Sequence, residues 1–114
     1  MIPHDTLNVL NLTAAGTTQA DATAISANFS PAMVVAAGND IVGVRLPAAA
    51  RGKVYFVKNI GTAGITSKLN VYPATGDLVN ALAVNAAYQM PVTTAAIFVA
   101  ANSTTWYTFD LVAS

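Results

Sequence analysis

Acid–base, nucleophilic or metal chemistry in this 114-residue chain would have to be built around one histidine and five aspartates, because it holds no glutamate and no cysteine. His4 follows Met-Ile-Pro at the start of the chain. A Ser-His-Asp site or a zinc site needs its imidazole held by packing and by a second polar group, which a loose chain start does not supply. His4 therefore reads as incidental. Asp5, Asp21, Asp40, Asp77 and Asp110 are scattered, so a paired-carboxylate site would need two of them to meet by chance. Asp40 and Asp77 sit in Gly38-Asn39-Asp40 and Ala74-Thr75-Gly76-Asp77, where a short carboxylate accepts backbone N–H bonds in a turn. Gly61-Thr62-Ala63-Gly64 lacks the Gly-Lys-Ser/Thr ending of a phosphate loop, and no helix is expected after it. Asn11, Asn28 and Asn102 begin Asn-x-Ser/Thr triplets, which read as accidents in a chain so rich in Asn and Thr. No catalytic, metal-binding or cofactor-binding residue is assigned, and the chain is expected not to be an enzyme.

Aromatic side chains offer a different chemistry, that of contact. Tyr55, Phe56, Phe98, Tyr107 and Phe109 fit a core or half-core, and Val54, Phe56, Val71, Phe98, Tyr107 and Phe109 are expected among the buried residues. Successive side chains of a strand point opposite ways, which sends Trp106 to the face away from Tyr107 and Phe109. An outward Trp106, with Tyr72, would stack on sugar rings or plug a subunit interface. With few charges nearby the interface is the preferred reading, and Trp106 and Tyr72 are its candidate residues.

Only 9% of the residues are charged and 54% are hydrophobic, against a usual charged share of about 25%. Mean hydropathy is +0.53. The surface must be made of Thr, Asn, Ser and Ala, neutral groups that lose less hydration on contact than ions do. Such a surface suits a protein that ends up against other protein, although abundant alanine by itself also raises the score. Arg45, Arg51, Lys53, Lys58 and Lys68 all lie mid-chain, yet the formal net charge is zero. Nucleic-acid binding needs an excess of positive charge, and none is expected. The start carries no basic region before an apolar run, so it is not read as a signal peptide. Ala32–Ala37 and Ala95–Ala101 are far shorter than the ~20 residues of a membrane span. A protein soluble in the cell that makes it, without a membrane partner, is expected.

The elements that must position these groups read as strands. Leu7–Leu12 and Thr23–Ala27 alternate apolar and polar residues, and Met33–Ala36 is a short apolar run. Ile41–Leu46 and Lys53–Asn59 follow, then Leu69–Tyr72, Ala95–Ala100 and Thr105–Leu111. Ala48–Gly52 would make at most one helical turn. Residues 78–90 are rich in alanine, but no helix cap bounds them and Asn80 and Asn85 suit turns, giving strand, turn, strand. About eight or nine short strands with little helix predict an all-β chain, specifically an antiparallel β-sandwich, jelly-roll-like or a small barrel. Residues 13–114 would form that single domain. Residues 1–12 would be either its first strand or an arm in which Leu7, Val9, Leu10 and Leu12 add a strand to another chain.

Lys58-Asn59 closing Val54–Val57, the segment Asn70-Val71-Tyr72-Pro73-Ala74-Thr75-Gly76-Asp77, Ala95–Ala100, Ser103-Thr104-Thr105-Trp106-Tyr107 and the early Ala15-Gly16-Thr17-Thr18-Gln19 resemble, in this order, small virion-associated proteins of tailed bacteriophages. The likeness runs over roughly residues 13–109, marks turns and strand ends, and carries no chemistry; Ile60–Lys68 is longer than that pattern. The resemblance implies a capsid decoration, or cement, protein: a homotrimer made in the host cytoplasm that binds the major capsid protein on the outside of the assembled shell, without cofactor. The alternatives are a tail-fibre or receptor-binding domain for host glycan, and a head or tail connector subunit forming rings.

Overall fold

The computed structural model describes residues 8–28, 30–37, 42–61 and 68–111. Among these the chain is all β, with ten short strands and no helix: β1 (Asn8–Asn11), β2 (Thr23–Ala24), β3 (Ala32–Ala36), β4 (Gly43–Arg45), β5 (Val54–Asn59), β6 (Lys68–Tyr72), β7 (Leu78–Val79), β8 (Tyr88–Pro91), β9 (Ala95–Ala100) and β10 (Thr105–Leu111). They form a six-stranded sheet in the order β1-β3-β5-β9-β10-β7 and a four-stranded sheet in the order β2-β4-β6-β8.

From β1 to β6 the chain steps from one sheet to the other at every strand and returns parallel to the strand it left two steps earlier. The result is solenoid-like: Asn8, Ala32 and Tyr55 stack in register, 24 and then 23 residues apart. The last strands close this coil by antiparallel pairing of β8 on β6, β9 on β5 and β10 on β9, with β7 parallel to β10. The expected antiparallel sandwich is corrected here, since five pairings (β1–β3, β3–β5, β2–β4, β4–β6, β7–β10) are parallel and three are antiparallel. Hydrophobic alternation locates strands but does not name their partners. Turns every ten residues or so fit a coil that crosses between sheets as well as they fit hairpins.

The core lies between the sheets. Ala32, Val34, Ala36, Tyr55, Val57, Ala96, Phe98, Ala100 and Trp106 point inward from the larger sheet, meeting Val44, Leu46, Leu69, Val71 and Met90 from the smaller. Val71 and Phe98 are fully buried as expected, and Val54 and Phe56 are half-buried. Tyr107 and Phe109 are not buried: they are 49% and 59% exposed, while Trp106 is 0% exposed. β10 thus presents the face opposite to the expected one. Parity along a strand groups Tyr107 with Phe109 but does not say which group faces the core. The packing decides it: Trp106 lies opposite the small Ala100 and its ring meets Tyr55 at 5.8 Å and 58°, so the largest apolar side chain takes the enclosed position.

Local chemistry fixes the connections. Ala74–Asp77 is a tight turn closed by the Asp77 N–H on the Ala74 carbonyl at 2.9 Å, with Gly76 at φ +91° where a β-carbon is disfavoured. The buried Asp77 carboxylate accepts the Ala49 N–H at 2.9 Å, joining two distant loops. Residues 78–90 are strand, turn and strand, with Asn80 and Asn85 in left-handed backbone. Ala48–Gly52 forms no helical turn; Lys53 N–H bonds the Ala50 carbonyl in a plain turn instead. Asn59 is fully buried at the end of β5, where its amide donates to the Met90 carbonyl at 2.9 Å and accepts the Gly61 N–H at 2.8 Å. Asn59→Ala leaves both backbone groups without that partner, and a loss of about 2 kcal/mol is expected by urea denaturation.

Candidate assembly surface

The inward residues of β3, β5, β9 and β10 leave their alternate neighbours on the outer face of the six-stranded sheet. Strand register aligns those neighbours in rows across the sheet. Val9, Met33, Phe56, Ile97 and Phe109 make one continuous row over five strands. Val54, Val99 and Tyr107 flank it on one side, and Asn11, Val35, Lys58, Ala95 and Leu111 on the other. Eleven of these thirteen side chains are apolar. Val9, Tyr107, Phe109 and Leu111 on the two outermost of these strands are 57%, 49%, 59% and 44% exposed, and Met33, Val35, Phe56, Ile97 and Val99 between them are half-buried, so the face is apolar and open to solvent chiefly along β1 and β10.

Among the described residues its one charge is held at the margin. The Lys58 ammonium donates to the Thr93 carbonyl at 2.7 Å, in the turn between β8 and β9. The outer face of the four-stranded sheet is different in kind. Its rows are Gly43–Asn70–Gln89, Arg45–Tyr72 and Lys68–Pro91, carrying two cations and two amides. Arg45 there donates to the Gln19 and Ala20 carbonyls at 2.9 and 3.1 Å. One sheet is dressed for water and the other is not.

The residues expected to form an interface are not brought together. Trp106 belongs to the core of the larger sheet, and its indole N–H has no hydrogen-bond acceptor among the described residues. Tyr72 is half-buried on the outer face of the smaller sheet, beside Gly43. An outward Trp106 is therefore corrected: its ring is enclosed by its own chain. Of the expected arm, Leu7 lies outside the described residues. Val9, Leu10 and Leu12 belong to β1 and its exit, paired in parallel with β3, and Leu10 and Leu12 pack against the core. That is the arrangement of a first strand. What the sequence reading missed is Phe109, Tyr107, Leu111 and Ile97 as a surface. The signal was present: Ala32–Ala36 and Ala95–Ala100 are apolar at every position, the pattern of strands covered on both faces.

Among the described residues there is little else for chemistry. A cleft of about 160 Å³ opens between the sheets beside Tyr88, Met90, Ala96, Asp110 and Leu111, smaller than the ~300–1,000 Å³ of ordinary ligand sites. The Tyr88 hydroxyl donates to the Asp110 carboxylate there. Burial first, then that bond, hold the Tyr88 hydroxyl above its usual pKa of 10.0, so it stays protonated. Among the described residues no three His, Cys, Asp or Glu side chains gather as metal ligands, and no helix is long and apolar enough to cross a membrane. His4, Asp5, Asp40 and the Gly61–Gly64 loop beyond Gly61 lie outside the described residues.

Comparison with known proteins found no matching family model, no matching curated protein and no matching solved structure.

Proposed function

We propose that this chain is a non-enzymatic structural subunit that works by assembling with other protein. The observation that carries the proposal is the apolar outer face of the six-stranded sheet, open to solvent chiefly along β1 and β10. Exposed aromatic and aliphatic side chains in contiguous rows mark a surface that is covered in the working state.

Within that class the residue pattern favours a decoration protein on the outside of a tailed-phage head shell, acting as a homotrimer on the major capsid protein. A neutral surface is desolvated at small cost, and several copies joined together add weak contacts through effective concentration. A subunit that binds only the assembled shell stabilises that state by mass action. A glycan-binding domain draws some support from the exposed rings of Tyr107 and Phe109. Against it, the ring positions are surrounded by Val54, Val99, Ile97 and Leu111, and Asp110 is engaged by Tyr88. Sugar hydroxyls find few partners there.

The test is the position of the chain on purified phage particles, read by antibody labelling in the electron microscope. Label over the head shell is the expected result. Label at the tail tip, or on no particle component, overturns it.

A further inference from the structure

We infer that the outer face of the six-stranded sheet is the self-association surface, packing against the same face of further copies of this chain. The inference rests on the assembly reading above and names its partner.

Three observations lead to a second copy. The first is the hydrophobic pattern. β3 (Ala-Met-Val-Val-Ala) and β9 (Ala-Ala-Ile-Phe-Val-Ala) are apolar at consecutive positions, as in strands buried on both faces. Among the described residues the chain fully buries only their inner face: Ala32, Val34, Ala36, Ala96, Phe98 and Ala100 are at most 1% exposed, while their alternate neighbours on the other side are half-buried.

Charge is the second. A face that meets its own copy must tolerate like against like. Among the described residues of this face the only ion is Lys58, tied to the Thr93 carbonyl at the rim, so they bring no repulsion to the centre. A strongly charged partner, by contrast, finds nothing to pair with. Hydrophobic anchors are available at one side of the face: Tyr107 and Phe109 on β10, with Leu111 beyond.

Extent is the third. Five strands at ~4.8 Å spacing and about six residues at ~3.3 Å rise give a footprint of roughly 24 by 20 Å, or ~480 Å² in projection. Side-chain relief raises the accessible area above the projection, toward the ~600–800 Å² per partner of a stable interface. The smaller sheet, narrower and bearing Arg45, Lys68 and Gln89, offers no such area.

The test uses the full chain in sedimentation velocity between about 1 and 100 μM, with Phe109→Asp on the apolar face and Gln89→Asp on the polar face. Emission of the single tryptophan, buried in the core, confirms that each variant is folded. The wild type and Gln89→Asp should sediment as the same oligomer, whereas Phe109→Asp should dissociate with a constant raised about 30-fold or more. A Phe109→Asp variant as oligomeric as the wild type overturns the face assignment but leaves the assembly reading standing. A wild type that is monomeric at the top concentration also overturns the face assignment. The particle-labelling experiment then decides the assembly reading separately.

Discussion

Trp106→Ala is expected to lower the stability of the fold by about 3–5 kcal/mol, with the loss appearing in the isolated chain. Trp106 is 0% exposed, packs on Tyr55 and lies opposite Ala100. Small neighbours do not collapse into the space an indole leaves, so the lost transfer energy is joined by a cavity term. A domain of this size has about 5–15 kcal/mol of stability in total, and the variant would approach partial unfolding at room temperature. Trp106→Phe should lose much less, because the indole N–H has no acceptor among the described residues to forfeit. Guanidinium denaturation followed by far-ultraviolet circular dichroism measures both. A Trp106→Ala protein as stable as the wild type would mean that the ring is not part of the core.

Gly43→Ala is the second large effect, about 3 kcal/mol of destabilisation by overpacking. Gly43 sits in β4, paired in parallel with Asn70 of β6. A β-carbon at this position would lie 2.4 Å from the Asn70 carbonyl oxygen, 3.0 Å from the Tyr72 ring and 3.1 Å from the Asn70 β-carbon. The nearest atom is backbone and cannot swing aside as a side chain can. Gly43 also exchanges backbone bonds with Ala15, at 3.3 and 3.1 Å, which ties the loop before β2 to the smaller sheet. Relief by strand separation would break that bridge as well. The same denaturation experiment reads the loss, and Gly76→Ala, with open space around its β-carbon, separates crowding from backbone strain.

Strand positions were legible in the sequence because apolar alternation and turn residues are local signals. β9 and β10 fall where the runs Ala95–Ala100 and Thr105–Leu111 place them, and Asn80 and Asn85 supply the left-handed turns that break residues 78–90. Strand partners were not legible. Whether β3 returns beside β1 or folds back as a hairpin depends on where the intervening β2 docks, a long-range choice that no window of ten residues contains. The orientation of β10 was missed for a related reason. With aromatic residues at 106, 107 and 109, both faces look fit for a core, and only the neighbour across the sheet, Ala100, decides between them. The surface is hard to see in the sequence because an unbroken apolar run reads as core, when a strand of such a run has two faces and the facing sheet covers only one.

The most direct measurement of whether further copies cover that second face is thiol labelling, since the native chain has no cysteine to interfere. Val9→Cys places a thiol at the end of the central apolar row, at a position 57% exposed in the isolated chain, and spares the anchors Tyr107 and Phe109. Gln89→Cys places one on the polar face of the other sheet. With a maleimide reagent, the thiol at position 9 should react more slowly as protein concentration rises from about 1 to 100 μM, the range in which weak interfaces fill, while the thiol at position 89 reacts at one rate throughout. Equal and concentration-independent labelling at both positions would contradict an apolar face buried by self-association.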